Sequence, residues 1–464
     1  MSVIENQTLS NIDKIFQATH GDPDQWPKAL REFIQKKLSD EKNLPSINEA
    51  PNHALVDGQL VKFRCMIQDM FDPEIYMDKF TVKNLENGQT RISSCRFRDT
   101  IDLEKKEEPL HDEGVQHAER QSFYCVSIPG ESPWVKDILK KQEPEISIPS
   151  TSNVSRGKRS RDDDDEEMET SNETIEHSKK NTNDAMETED QPNEIKKSKN
   201  DENVAKSTVK NQPTSTGLNL PIPGEKGNAA IVKVYDIEEG AFKLNEMFEF
   251  IGIISLSPVL ANATQDMDDN DIISQFNKPE IAAKNPPPSL IPRLHVLKYS
   301  KLIHNHPQLT QNLANFSVPW EELRRSKEDL HGILTQLFFG DSIAADYLLC
   351  HLMSQIYMRK DVMSLGKFSL NIFGLPTIGN YSKRLATILQ LILTKSHYYP
   401  LKIEKINSSK FLPKKDYASN RLVSGLLQLS SGTHLILDET VMNNGELNQV
   451  INKRFSNHPV ALFQ

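Results

Sequence analysis

The chain has 464 residues, 37% of them apolar, and a formal net charge of −10 at pH 7. That length suits two or three domains, and the apolar share is low for a wholly globular chain. The acidic balance argues against strong sequence-independent binding of nucleic acid, which needs a basic face. Cys65, Cys95, Cys125 and Cys350 lie far apart with no Cys-x-x-Cys. This excludes a zinc ribbon or thioredoxin-type motif and predicts unpaired, mostly buried thiols in a reducing compartment. No signal peptide opens the chain, and the most apolar long window, Leu244 to Ala261, is short and broken by Glu246 and Glu249. It predicts a soluble, intracellular protein with no membrane partner.

In chain order, residues 1–50 predict an N-terminal helical segment. "WPKALREFIQKKL" sets Trp26, Leu30, Phe33 and Leu38 near one helical face. Residues 51–150 predict the first part of an OB-like β domain, through "LVKFRCMIQDM", "EIYMDKFTVKN", "TRISSCRFRD" and "RQSFYCVSIPG". Alternation places Val61, Phe63, Cys65 and Ile67 inward, and Lys62, Arg64, Met66 and Gln68 outward. Residues 151–217 hold 16 acidic and 11 basic residues, nine apolar ones and no aromatic. Such a stretch cannot bury enough surface to offset its chain entropy, so it reads as a disordered charged insert. It carries two basic clusters that suit a nuclear-import receptor, marked by Lys158 and Arg159 and by Lys196 and Lys197. Ser160, followed by Asp163, is a candidate acid-directed phosphosite.

The β pattern resumes over residues 218–300 with "AAIVKVYD", "MFEFIGIISLS" and "RLHVLKY", the second part of the OB-like domain. Gly252 inside a strand predicts a bulge or sharp bend. Two separate small β domains are the alternative. Over residues 301–464 the period changes. Leu330, Ile333, Leu334, Leu337 and Phe338 form one helical stripe, and Tyr347, Leu348, His351, Leu352, Gln355 and Ile356 another. "KFSLNIFG" predicts a strand, "YSKRLATILQLIL" and "NRLVSGLLQL" helices, and "HLILDE" a buried strand. The alternation is α/β, making the whole chain α+β and multidomain.

"HLILDE" ends in Asp438-Glu439, the way a nucleoside-triphosphatase presents one acid to Mg²⁺ and one to the attacking water. Upstream, Gly374 and Gly379 have the spacing and context of a phosphate loop. Asn380 stands where the loop's Lys belongs and Tyr381 where its Ser/Thr belongs. Catalysis of this kind rests on electrostatics, so the loss leaves a degenerate remnant. Tyr381 is expected to put its ring in the metal's place, and Ser382 and Lys383, on a helix, to point away from the phosphate cradle. Taken alone, Asp438-Glu439 reads as a strand end; paired with the loop it reads as a relic of an AAA core. No catalytic residue, cofactor or metal site is expected, nor a small-molecule substrate. His304 and His306 lack a third ligand, and His351 reads as a core histidine. Phe123, Tyr124 and Trp134 could stack single-stranded bases, but Phe123 and Tyr124 read better as straddling a barrel wall.

Several strings resemble the minichromosome-maintenance (MCM) complex-binding protein family: "VKFRCMIQDMFDPEIYM" (Val61 to Met77), "RQSFYCVSIPGESPWVK" (Arg120 to Lys136), "LPIPGEKGNAAIVKVY" (Leu220 to Tyr235), "FKLNEMFEFIGIISLSPVL" (Phe242 to Leu260), Gly340 to Ile372, and "KKDYASNRLVSGLLQLSSGTHLILDET" (Lys414 to Thr440). The last is also similar to the ATPase core of MCM helicase subunits, through Gly425, Leu426, Leu427, Gly432, Asp438, Glu439 and Met442. The resemblance implies a nuclear, non-enzymatic partner of MCM subunits that assembles with a partial complex in place of one subunit. It also implies roles in assembling, chaperoning or unloading the helicase, in DNA replication, and in sister-chromatid cohesion during cell division. Family members continue well past the Asp-Glu strand, so the AAA-like part is expected to be C-terminally incomplete. Two other classes stay open: an active P-loop ATPase, and an OB-type single-stranded nucleic-acid-binding module.

Overall fold

A computed structural model describes residues 7–38, 43–49, 54–142 (except 102, 104–105 and 111–113), 218–263 (except 239), 272–312 and 317–448 (except 361–362 and 377). The charged segment 151–217, with Lys158, Arg159, Ser160, Lys196 and Lys197, lies outside these residues. In order the elements are α1 (Gln7–Ala18), α2 (Trp26–Lys37), β1 (Leu60–Met70), β2 (Glu74–Asn84), β3 (Thr90–Ser93), β4 (Glu107–Leu110), β5 (Gln116–Ser127), α3 (Pro133–Lys141), β6 (Ala229–Tyr235), β7 (Met247–Ser255), α4 (Val259–Ala263), α5 (Ile272–Lys284) and β8 (Arg293–Lys301). There follow α6 (Trp320–Leu337), α7 (Ser342–Met353), β9 (Met358–Lys360), β10 (Met363–Leu365), α8 (Tyr381–Ile392), β11 (Ser396–Pro400), α9 (Ile403–Ser408), β12 (Lys414–Asp416), β13 (Arg421–Val423) and β14 (His434–Asp438).

The fold is mixed α+β around a closed β ring. Strand β1 pairs antiparallel with β7 and with β5, β7 with β8, and β5 with β6; β6 and β8 close the ring in parallel. Beyond the ring, β5 pairs with the first half of β2, and the second half of β2 lies between β3 and β4, one on each edge. The ring takes strands from both sides of segment 151–217.

Alternation explains the interior. Val61, Phe63, Cys65 and Ile67 are fully buried together with Phe123, Cys125, Val232, Phe250 and Leu294. The opposite face of β1 departs from the simple pattern. Lys62 and Arg64 are half-buried, but Met66 and Gln68 are buried. Met66 joins a second cluster with Phe71, Tyr124 and Ile231, and the Gln68 carbonyl accepts from Gln428 Nε2 at 2.8 Å. The C-terminal part of the chain covers this wall, so an outward position is not a wet one. Gly252 lies at a register shift between β7 and β8, where a Cβ would come within 2.1 Å of the His295 carbonyl oxygen. Only glycine permits that approach. Trp26, Leu30 and Leu38 are buried against the β2–β3 side, where Phe16 meets Trp26 edge-on at 4.9 Å.

In the C-terminal part, α6, α7 and α8 share one cluster built on Leu334, Phe338, Leu348, Leu385 and Leu389. Asp341 caps α7 by accepting from the Ile343 and Ala344 amides, each at 3.0 Å. Ile333 and Tyr347, assigned by periodicity to apolar stripes, are instead exposed, because the helices meet along a narrower seam than the stripes allow. Strand β11 pairs in parallel with β14.

Two predicted elements do not form. Lys367–Gly374 joins no ladder among the described residues. Leu370 and Ile372 pack on the helical cluster instead, and Nδ1 of His351 donates to the Phe368 carbonyl at 2.6 Å. Residues 420–429 are not a helix: Asn420 is left-handed at φ 50°, β13 follows, and a Cβ on Gly425 would lie 2.4 Å from the Leu412 carbonyl carbon. Close packing and the hairpin override helical propensity there.

The barrel and the C-terminal part are stitched together. Ser132 Oγ donates to the Leu393 carbonyl at 2.6 Å, and Trp134 Nε1 donates to the Gln390 and Leu393 carbonyls. Buried Lys395 joins the two through a backbone bridge with Glu131 and a contact of its Nζ with Met247 Sδ at 3.3 Å, while it donates to Ser430 Oγ at 2.9 Å and to the Ser431 carbonyl at 2.6 Å.

Candidate functional site

The site begins where β14 stops. Asp438 is buried, and its carboxylate accepts from Ser382 Oγ at 2.6 Å, from the Tyr398 hydroxyl, and from Thr440 through its amide at 3.0 Å and its hydroxyl at 2.7 Å. Burial alone would push this carboxyl up, but the hydrogen bonds from Ser382, Thr440 and Tyr398 hold it below its ordinary value. Burial and the bond to the Asp438 carboxylate together push the Tyr398 hydroxyl up to about 12. Glu439, next in the chain, is exposed.

The glycine loop lies ahead of α8. Gly374 and Gly379 both have positive φ, 76° and 75°, and Asn380 is left-handed at φ 53°, ψ 47°. Asn380 is the N-cap of α8 but makes no side-chain cap. The Tyr381 hydroxyl donates to the Leu337 carbonyl, and its ring lies 5.1 Å from that of Phe339. Two expectations are thereby corrected. The Tyr381 ring is turned to the end of α6 and does not occupy a metal position beside Asp438. Ser382, expected only to point away from the phosphate cradle, reaches the acid directly. The reason is helical geometry: in the first turn of α8 adjacent residues lie about 100° apart, so Tyr381 and Ser382 serve different neighbours.

The donor set does not fit a nucleotide with its metal. No Lys follows Gly379, and the acid that would serve the ion is engaged by three protein hydroxyls and an amide. The arrangement pins the start of α8 to the end of β14. Ser382, Tyr398 and Thr440 form that pin. Tyr398 could not be found in the sequence, since nothing marks "SHYYP" as the neighbour of "HLILD" before the strands pair.

The other candidates fall elsewhere. Phe123 is in the barrel interior and Tyr124 on the opposite face of β5, both buried. His304 Nε2 lies 3.0 Å from the Thr310 carbonyl, while the His306 ring meets Trp134 edge-on at 5.5 Å. His351 is half-buried beside the His434 ring at 5.4 Å. Among the described residues no helix is long and apolar enough to cross a membrane.

Fold and site together describe an α+β protein with a closed barrel, joined to a C-terminal part whose glycine loop lacks the groups that hold phosphate. The family described as "Mini-chromosome maintenance replisome factor" matches residues 30–452. A protein of Salmo salar called "Mini-chromosome maintenance complex-binding protein" is 37% identical over 461 residues, covering 95% of this chain and 71% of that relative. Proteins of the same name from Homo sapiens (37% over 452 residues, 93% of this chain and 70% of the relative) and Drosophila melanogaster (36% over 431 residues, 90% and 67%) are also similar. The chain belongs to this family.

Proposed function

We propose that this chain is a non-catalytic, nuclear binding partner of MCM helicase subunits. It acts in DNA replication, in assembling, chaperoning or unloading those subunits, and in sister-chromatid cohesion. The observation that carries the reading is membership of a family whose relatives are named for binding the mini-chromosome maintenance complex. The site supports the non-catalytic half, since Asp438 serves Ser382, Tyr398 and Thr440 in place of an ion. We read the closed ring as an OB-type barrel, supported by its five strands and the parallel β6–β8 pair. We read the C-terminal part as a degenerate AAA-like domain, supported by the glycine loop, α8 and the parallel β11–β14 pair. The burial of Phe123 and Tyr124 counts against base stacking on that wall.

Purified chain, mixed with MCM subunits one at a time, is expected to co-elute with at least one of them, and its absence from every such complex refutes the partner. ATP turnover is expected to be nil. Turnover in the wild-type chain that disappears in Glu439→Gln restores the ATPase reading. Replacing Lys158, Arg159, Lys196 and Lys197 by Ala is expected to shift a fluorescent fusion toward the cytoplasm.

A further inference from the structure

The glycine loop carries side chains that a phosphate cradle has no use for. Phe373 and Ile378 flank it and are 91% and 88% exposed. Nearby, at the α6–α7 turn, Phe339 and Ile343 are 68% and 67% exposed. The Phe339–Tyr381 ring contact and the Tyr381–Leu337 hydrogen bond join the loop to that turn. Ile372 and Leu375, on either side of Phe373, pack on the same cluster as Phe338 and leave Phe373 turned outward between them. A lone exposed apolar residue needs no explanation, but four large ones at one end of a helical cluster mark an interaction face.

Cations flank the apolar residues. Lys383 and Arg384 are exposed in the first turn of α8, and the Arg384 guanidinium lies 3.9 Å from where a Cβ on Gly379 would stand. Among the described residues no carboxylate pairs with either. The unsatisfied amides at the start of α8 add positive potential, since its N-cap provides no side-chain acceptor. An apolar centre beside unpaired cations has the anatomy of a protein interface, and its complement is an apolar segment flanked by carboxylates.

We infer that Phe339, Ile343, Phe373 and Ile378 form the surface by which this chain docks an apolar, acid-flanked segment of an MCM subunit, with Lys383 and Arg384 engaging the carboxylates. The inference rests on the proposed partner and deepens it: the phosphate loop has become a docking prong.

The test uses the full chain and whichever MCM subunit binds it. Two double variants are compared with wild type by calorimetry: Phe373→Ala with Ile378→Ala, and Lys383→Glu with Arg384→Glu. All four positions are exposed, and unchanged thermal unfolding verifies the fold. Each pair is expected to weaken Kd at least tenfold, and the charge pair, now facing carboxylates with carboxylates, is expected to bind more tightly as salt rises where wild type binds more weakly. If either pair leaves Kd within twofold of wild type, the docking surface is wrong while the partner stands. If wild type binds no MCM subunit, both the partner and the occupant of this face are wrong. If sedimentation shows the wild-type chain self-associating through these residues, and the variants abolish that while still binding the subunit, the face belongs to a second copy and the inference is overturned.

Discussion

A single carboxylate shows how an acid at a strand end can hold two elements together. Asp438 accepts from three hydroxyls and an amide, and each hydrogen bond to a charged acceptor is worth on the order of 1.5–3 kcal/mol net. Asp438→Asn keeps the shape but loses the charge and turns an amide NH₂ toward donors. It is expected to destabilise the chain by about 1–3 kcal/mol in urea unfolding at pH 7. The pH dependence follows from the depressed carboxyl. Its stabilisation is fully present above about pH 3.9, the unfolded value, and is lost as pH falls through the lower folded value. The gap between wild type and Asp438→Asn should therefore be constant from pH 7 to 5 and narrow only in stronger acid. A gap that closes by pH 5 means that the hydroxyls do not hold the charged form.

At the scale of elements, the β12–β13 hairpin cannot stand alone. The residues of β12 are all exposed, and three-residue strands are too short to persist by their own pairing. Arg421 anchors it. Its guanidinium carbon lies 4.0 Å from the Phe71 ring centroid and 4.9 Å from that of Tyr124, and its Nε donates to Asp69 at 3.1 Å. Asp69 also accepts from the Leu422 amide, and Asn219 bonds Leu422 and Ser424. Arg421→Ala leaves Asp69 largely buried without its cation, a loss of about 3 kcal/mol. Arg421→Lys should recover little of it, because an ammonium cannot stack as the planar guanidinium does. Protease cleavage within residues 414–424 is the direct readout: fast in both variants and slow in wild type. Equal protection in all three chains removes Arg421 as the anchor.

At the scale of the molecule, the barrel and the C-terminal part share a buried charge. Burial pulls the Lys395 ammonium down to about 8, with Glu131 opposing. An unfolded lysine titrates near 10.4, so between pH 8 and that value the unfolded chain binds more protons than the folded one. Stability therefore rises with pH through this window, contrary to the habit of reading lysines as stabilising when charged. The expected signature is a rise in urea-unfolding free energy from pH 7.5 to 9.5 that Lys395→Met abolishes. A wild-type chain that is flat or falling over that interval shows Lys395 to be solvated and the junction to be wet.

Much of the barrel is legible in the sequence. Strands β1, β2, β5, β6, β7 and β8 coincide with runs of β-like composition, several of them alternating, Gly252 with an expected bend, and Phe123 and Tyr124 with opposite sides of a wall. These are local facts, set by side-chain period and backbone sterics within a few residues. The absence of Lys and Ser/Thr at 380 and 381 is equally local, and it speaks against phosphate chemistry without any help from the fold. Partner choice cannot be read this way. "KFSLNIFG" has the alternation of a strand but joins no ladder, and "NRLVSGLLQL" has helical spacing but bends into a hairpin clamped on Asp69 and Phe71. Likewise β11 is a strand by virtue of pairing with β14, and only that pairing carries the Tyr398 hydroxyl to Asp438. By itself the sequence determined which segments could form which elements and which phosphate-holding groups the glycine loop does not have. Tertiary structure decided which elements met, because contacts between residues far apart in the chain depend on packing and burial that no local pattern encodes.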